Sequence, residues 1–236
     1  MTEILLSPDR RFAVVQSEPW MAPQLEAIQQ ASFPSLARDE LITAEHYKAH
    51  LRVFPQGQHA VLELETGQVD SRSGWPETVR PKVVACSTDF RTHVDFSHYQ
   101  HRYLEAVGGN WLTSHDPAGD WLYGADIGVH PEFRGFGLST LLYTARQALV
   151  RQLGLKGHVA GAMPKGFAPY QRDLFIEQYV ARVVKGEMFD PVLSIQLKRG
   201  YHVWGIIPNY LDDPSCGNYG VFVVWRNPAW AQARQG

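Results

Sequence analysis

The residues best suited to chemistry lie between Val129 and Leu142, in the stretch VHPEFRGFGLSTLL. Gly135 and Gly137 carry no side chain, so the backbone there is able to approach a ligand. The segment behind them is Leu-rich, and the first turn of the helix it predicts presents N–H groups that have no partner inside the helix. A turn of this kind suits a pyrophosphate, and Arg134 adds a fixed positive charge at its mouth. No Lys-Ser or Lys-Thr follows the glycines, so this is not a P-loop. The glycine spacing is not that of the dinucleotide fingerprint either.

The elements that must position this turn follow from the patterning. WLYGADIGV (121–129) predicts a strand before it. Leu138, Leu141, Leu142, Ala145, Ala148, Leu149 and Leu153 make one helix face after it, ended by Gly154. HVAGAM (158–163) is the next strand. Upstream, 11–16 is a strand, 20–31 a helix, and Thr43 caps a second helix carrying Tyr47, His50, Leu51 and Phe54, which Pro55 and Gly57 stop. Strands follow at 59–65 and from Val83 onward, joined by the Gly-, Ser- and Pro-bearing linker 67–81, which reads as a surface hairpin loop. Downstream, helices are predicted over 170–184 and from Asp190 at N-cap with Pro191 at N1 to Arg199. YHVWGIIP and YGVFVVW are the last two strands.

Composition bounds the partners. The chain has 236 residues, 44% of them hydrophobic, which is enough for a full core and the size of a single domain with insertions over 1–236. Lys plus Arg number 22 against 24 for Asp plus Glu, so no global field draws nucleic acid or an anionic membrane. Ile4, Leu5 and Leu6 are too short a run for a signal segment, and nowhere do 18 apolar residues follow one another. Two cysteines, Cys86 and Cys216, make neither a disulfide framework nor a zinc site. These features predict a soluble, cytoplasmic protein.

At this point the sequence resembles the GNAT superfamily of acyl-CoA-dependent N-acyltransferases. Its pyrophosphate motif is Gln or Arg, two residues, Gly, one residue, then Gly or Ala; Arg134, Gly137 and Ser139 take those places, Ser139 being a departure. Val129, His130 and Pro131 ahead of the motif, the Leu-rich helix behind it and the later LKRGYHV occur in the family's order, so the resemblance is specific over about 120–207. It implies a GNAT-like α/β (α+β) fold: a mixed, mostly antiparallel central sheet with splayed strands 4 and 5, flanked by helices, with insertions at about 91–119 and 164–189.

The resemblance also implies a site. The strand ending at Val129 would part from the strand at 158–163, backbone groups of Ile127 and Val129 would pair with a pantetheine arm, and the N–H groups of Gly135, Phe136, Gly137, Leu138 and Ser139 would hold the pyrophosphate beside Arg134. The co-substrate implied is acetyl-CoA. An amine must lose a proton before it attacks a thioester, and Asp126, at a position where some family members keep an acid, is the candidate base, with Asp120 in reserve. Asp126 also reads as a plain ion-paired carboxylate. Many family members have a Tyr four residues ahead of the Gly of the LKRGYHV-type segment, to protonate the leaving thiolate. Here that position is Gln196, which leaves Ser194, Tyr170 and Tyr179 as substitutes.

Other features have plainer readings. His93, Asp95, His98 and His101 lack the third ligand and general-base Glu of a helical metal motif, so they read as a solvated loop and no metal is expected. The segment 91–119, with a short helix over His98–Val107, is long enough to be a functional loop or lid. Trp204 and Trp225 read as strand packing, and Cys86 as a small buried hydrophobe. The insertion 164–189 carries Phe175, Ile176, Tyr179 and Val183 as one stripe, either covering a sheet face or walling the acceptor site. With IPNYLDDPSCGNYGVFVVWRNP it looks similar to acetyltransferase domains sometimes fused to carbon-nitrogen hydrolases, and no hydrolase domain fits in these residues.

The reading is thus an N-acetyltransferase acting on a small-molecule or peptide amine, with no nucleic acid and no membrane; a homodimer is compatible with it. A catalytically silent acyl-CoA-binding module is the alternative, and a protein holding some other nucleotide at the Gly turn is a third.

Overall fold

The computed structural model describes residues 5–64 and 80–232, so Glu3, Ile4 and nearly all of the expected linker 67–81 lie outside the described residues. One sheet of eight strands organises these residues: β1 (Leu5–Leu6), β2 (Phe12–Gln16), β3 (Gln58–Glu63), β4 (Lys82–Thr92), β5 (Trp121–Val129), β6 (Gly157–Ala162), β7 (His202–Ile207) and β8 (Gly220–Arg226). Their order is β1-β2-β3-β4-β5-β6-β8-β7, and every neighbouring pair is antiparallel except β5 and β6. This is the mixed, mostly antiparallel sheet expected, and its parallel pair β5–β6 is the pair expected to part. The two-residue β1 moves the numbering by one.

Helices cover both faces. On one lie α1 (Ala22–Ser32), α2 (Ala44–Val53) and the short α3 (Tyr103–Ala106); Met21, Leu25, Ile28 and Tyr47 bury against Ala60, Leu62 and Cys86. Thr43 caps α2 as predicted, its hydroxyl taking the His46 N–H while His46 Nδ1 accepts from the Thr43 N–H. On the other face α4 (Leu138–Gln152) sets Leu138 and Leu142 against Phe12, Val61 and Val84. Among the described residues no helix is long and apolar enough to cross a membrane.

The segments added to this frame differ most from the reading above. Only Tyr103–Ala106 of the expected helix 98–107 is α-helical, and an irregular turn with left-handed backbone at Gly108, Gly109, Asn110 and Leu112 follows. His93, Asp95 and His98 are exposed, as expected of a solvated loop, but Phe96 between them packs on Trp121 and Phe222 of the sheet. Gln100 donates to the Ile206 carbonyl at 3.1 Å, and Trp204, 43% exposed and so not ordinary strand packing, donates to the Phe96 carbonyl at 3.1 Å. The helix expected over 170–184 begins only at α5 (Ile176–Val184), because Leu174 closes a turn onto the Tyr170 carbonyl and Phe175 is extended. Ile176, Tyr179, Val180 and Val183 form the buried stripe, whereas Phe175 is 76% exposed. Asp190 accepts from the Val192 and Leu193 N–H groups at the start of α6 (Leu193–Lys198), and from Tyr179 and Gly166, so the inserted helix is pinned to the next one.

Candidate active site

The gap between β5 and β6 is built by register. Leu122, Tyr123 and Gly124 pair with His158, Val159 and Ala160, and beyond Gly124 the two strands no longer pair. On its other edge β5 stays on β4 as far as Val129, with a shift of register between Thr88 and Asp89 that leaves Ala125 as an extra residue. The His130 N–H donates to the Val84 carbonyl. Counting back by the alternation of an antiparallel ladder, Gly128 and Asp126 bond to β4, while the N–H and C=O groups of Ile127 and Val129 face the gap. The Val129 carbonyl accepts there from Ser32 Oγ at 3.2 Å.

The turn at the open end of the gap has the form a diphosphate needs. Gly137 is the N-cap of α4 with φ 76°, Gly135 has φ 88°, and a Cβ on either would meet nothing within 4 Å. No side chain caps the helix start, so the Leu138 and Ser139 N–H groups remain free of intrahelical partners. Arg134, Gly135, Phe136 and Gly137 are exposed and Leu138 is buried as the first anchor of α4. Phe136 contributes its backbone to the turn while its ring, 47% exposed, lies 5.7 Å from that of Phe12 with the Arg11 guanidinium over both.

Asp126 is buried on the α1–α2 face. Its Oδ2 accepts from the Tyr47 hydroxyl at 3.1 Å and lies 3.9 Å from Cys86 Sγ. With its nitrogen turned to the carboxylate, the Gln29 amide donates to both oxygens, at 3.2 and 3.1 Å. Burial pushes the carboxyl up to about 6, against the opposing charge of Arg146 and the Tyr47 hydrogen bond. A carboxyl titrating there exchanges protons near neutrality. Asp120, the reserve candidate, is ion-paired to Lys156 and to His93 at 3.2 Å at the opposite end of β5, with its carboxyl held below the usual range by those bonds, which outweigh desolvation.

Two of the hydroxyls weighed as acids, those of Tyr179 and Ser194, are bonded to Asp190. Tyr179 donates to Asp190 at 2.9 Å, Ser194 Oγ accepts the Asp190 N–H, and the Tyr170 ring lies against Tyr179. Gln196 is buried. A different set, largely buried, lies on the paired part of β5 just before the strands separate: Tyr123, three residues before Asp126, has its hydroxyl 2.7 Å from His101 Nε2 and 3.0 Å from the Tyr210 hydroxyl. His101 Nδ1 lies 2.7 Å from the Tyr99 carbonyl, which only accepts, so Nδ1 carries the hydrogen and Nε2 accepts from Tyr123. His98 instead pairs with Asp95 at 2.9 Å. Gln29, Tyr123 and Tyr210 carry no sequence signal, and Tyr47 and His101 are visible only as a helix-face and a loop residue, since contacts over 22 to 97 residues of chain, the longest from Gln29 to Asp126, bring the set together.

No family model matches the chain. Among curated proteins it is similar to "Probable hydrolase YhcX" of Bacillus subtilis (strain 168), 30% identical over 203 residues, which cover 85% of this chain and 36% of that protein. The chain therefore spans about a third of that relative's length. It is also similar to "Uncharacterized N-acetyltransferase YkwB" of the same organism, 26% identical over 211 residues, 89% of this chain and 86% of that one. Among solved structures, "GphF GNAT-like decarboxylase in complex with isobutyryl-CoA" aligns with TM-score 0.69 at 22% identity, over 91% of this chain and 98% of its own. The loading GNATL domain of CurA from Lyngbya majuscula aligns with TM-score 0.71 at 17% identity, over 92% and 98%. The putative acetyltransferase yncA of Salmonella typhimurium, with acetyl-CoA bound, aligns with TM-score 0.51 at 12% identity, over 92% and 94%.

Proposed function

We propose that this chain, which has the GNAT fold, is an acyl-CoA-dependent N-acyltransferase that moves an acetyl group from acetyl-CoA to a primary amine by direct attack. The observation that carries the proposal is the conjunction, on one strand, of two features: Ile127 and Val129 backbone groups that neither β4 nor β6 pairs, and a buried carboxyl at Asp126 that burial pushes up to about 6. Arg134 and the N–H groups of Gly135 to Ser139 would hold the diphosphate. Ile127 and Val129 would pair with the pantetheine amides and align the thioester along the gap.

Asp126 takes the proton from the ammonium, directly or through a water, so the free amine attacks the thioester carbonyl. Collapse of the tetrahedral adduct breaks the carbon–sulfur bond; the nitrogen gives up its second proton as the amide forms, and that proton replaces the one the departing thiolate takes from its acid. We assign the return of a proton to the thiolate, the role that Gln196 cannot fill, to Tyr123; its hydrogen must leave the bond to His101 Nε2 to be given up, and Tyr210 donates to the oxygen that remains. The amine is a small molecule or a peptide, and the chain acts without nucleic acid or membrane.

The second reading comes from the GNAT-like decarboxylase among the structural neighbours: an acyl-CoA carrying a carboxylate in place of the acetyl group. The experiment is the release of free thiol from acetyl-CoA and from malonyl-CoA, with and without a panel of amines. Amine-dependent thiol release from acetyl-CoA supports transfer; carbon dioxide from malonyl-CoA without an amine supports the second reading. Tight binding of acetyl-CoA with neither reaction marks a silent binding module.

A further inference from the structure

Arg146 is an arginine in the middle of an otherwise amphipathic helix, yet it is 2% exposed. A buried guanidinium persists only with its charge paired and its donors met. Its Nε donates to Asp89 Oδ2 at 3.0 Å, and its Nη2 donates to the Thr88 carbonyl at 3.3 Å and to the carbonyl of Asp126 itself. Thr88 and Asp126 are the partners at the bulge, where the ladder between β4 and β5 shifts. Asp89 is fixed in turn by His158 Nε2 at 2.9 Å, and His158 Nδ1 accepts from the Tyr201 hydroxyl at 3.0 Å. One planar cation on α4 thus ties the irregular point of β5 to β4 and, through Asp89, to β6.

Resting on the acyltransfer reading above, we propose that Arg146 is a positioning residue for Asp126: anchored on Asp89, it holds the β5 bulge that turns the Asp126 carboxylate onto the α1–α2 face beside the gap. Were Ala125 a regular member of the ladder instead of a bulge, position 126 would fall on the same face as Gly124, whose Cβ direction meets His158 and Arg146 on the α4 side. Lys in place of Arg146 would be a single point donor and could not span a carboxylate and two carbonyls. The same helix begins at Gly137, so the diphosphate turn and the bulge are held by one rigid body.

Arg146 also acts through its charge. The groups around the Asp126 carboxyl are Gln29 from α1, Tyr47 from α2, Tyr103 from α3, Cys86 from β4 and the Ile127 N–H, with Arg146 beneath from α4. Burial raises the tyrosines and the thiol well above neutrality, which leaves Arg146 as the permanent cation of the set.

The test is the titration of the Asp126 carboxyl followed by carbon NMR, its resonance identified by its loss in Asp126→Asn. Asp89→Asn, which frees the Arg146 charge of its partner, should lower the midpoint; adding Arg146→Met to that variant should raise it by a unit or more above the Asp89→Asn value. The double variant removes both buried charges together and so guards against misfolding of Arg146→Met alone. In the active enzyme the pH profile of turnover should follow these shifts, with the KM for acetyl-CoA within a few-fold of wild type. An unchanged midpoint between Asp89→Asn and the double variant overturns the proposal. Wild type without amine-dependent thiol release, but with the midpoints moving as stated, overturns the acyltransfer reading instead.

Discussion

The hydroxyl of Tyr47 donates to Oδ2 of Asp126 at 3.1 Å, across 79 residues of sequence. The bond favours the ionised carboxylate and so works against the burial that raises it. Tyr47→Phe should therefore move the Asp126 titration, and any rate limb that depends on it, to higher pH. Loss of the bond should also destabilise the fold by about 1 kcal/mol. Denaturant melts together with the pH profile check both.

Asp126 should make the fold less stable at neutral pH. Its folded value, about 6, lies above the ordinary 3.8, so the folded state binds more protons than the unfolded one between those values. Stability from this group is fully present below about 3.8 and is lost as pH rises through about 6. Asp126→Asn should remove that penalty and raise stability above pH 6 by up to about 3 kcal/mol, offset in part by weaker bonds from Tyr47 and Gln29. Urea midpoints of both proteins at pH 5 and pH 7.5 measure it.

Gly137→Ala should weaken acetyl-CoA and strain the turn together. With φ 76° and open space around it, the position resists a side chain by conformation rather than by collision. Left-handed backbone costs a non-glycine residue about 1–2 kcal/mol. Arg134→Ala should lower acetyl-CoA affinity, by roughly the 1.5–3 kcal/mol of a charged hydrogen bond, while leaving the melting temperature unchanged. Calorimetry and thermal melts separate the two effects.

Tyr123→Phe should slow transfer with little change in acetyl-CoA affinity, because it removes the hydroxyl that joins His101 and Tyr210 but not the ring that packs on Phe90. Its loss should be largest for acyl donors whose leaving group needs a proton. A variant that binds acetyl-CoA and transfers at the wild-type rate excludes Tyr123 as the donor.

Local signals made much of the frame legible in the sequence. WLYGADIGV marks β5 over its whole length, the Leu spacing marks α4, and Thr43 with His46 marks the start of α2, because each is decided within a few residues. The bulge at Ala125 was not legible, since register is a property of the pairing between β4 and β5 and not of either strand alone. The segment 91–119 looked like a loop for a similar reason. Its order comes from partners such as Ile206 and Tyr123, which lie far along the chain. Asp126 was visible as an acid in a strand; Gln29, Tyr47 and Arg146, which set its environment, were not, for nothing in their own neighbourhoods distinguishes them from helix residues that pack or meet water.

The most direct test of the account is the pH dependence of amine-driven thiol release from acetyl-CoA, measured side by side for wild type and Asp126→Asn. The account predicts that wild-type kcat/KM rises with pH through a midpoint near 6, and that Asp126→Asn falls about 10²- to 10⁴-fold on the plateau and lacks that limb. It is contradicted if no amine releases thiol in wild type between pH 6 and about 9, the range from that midpoint toward the unperturbed lysine value, or if Asp126→Asn keeps the wild-type profile.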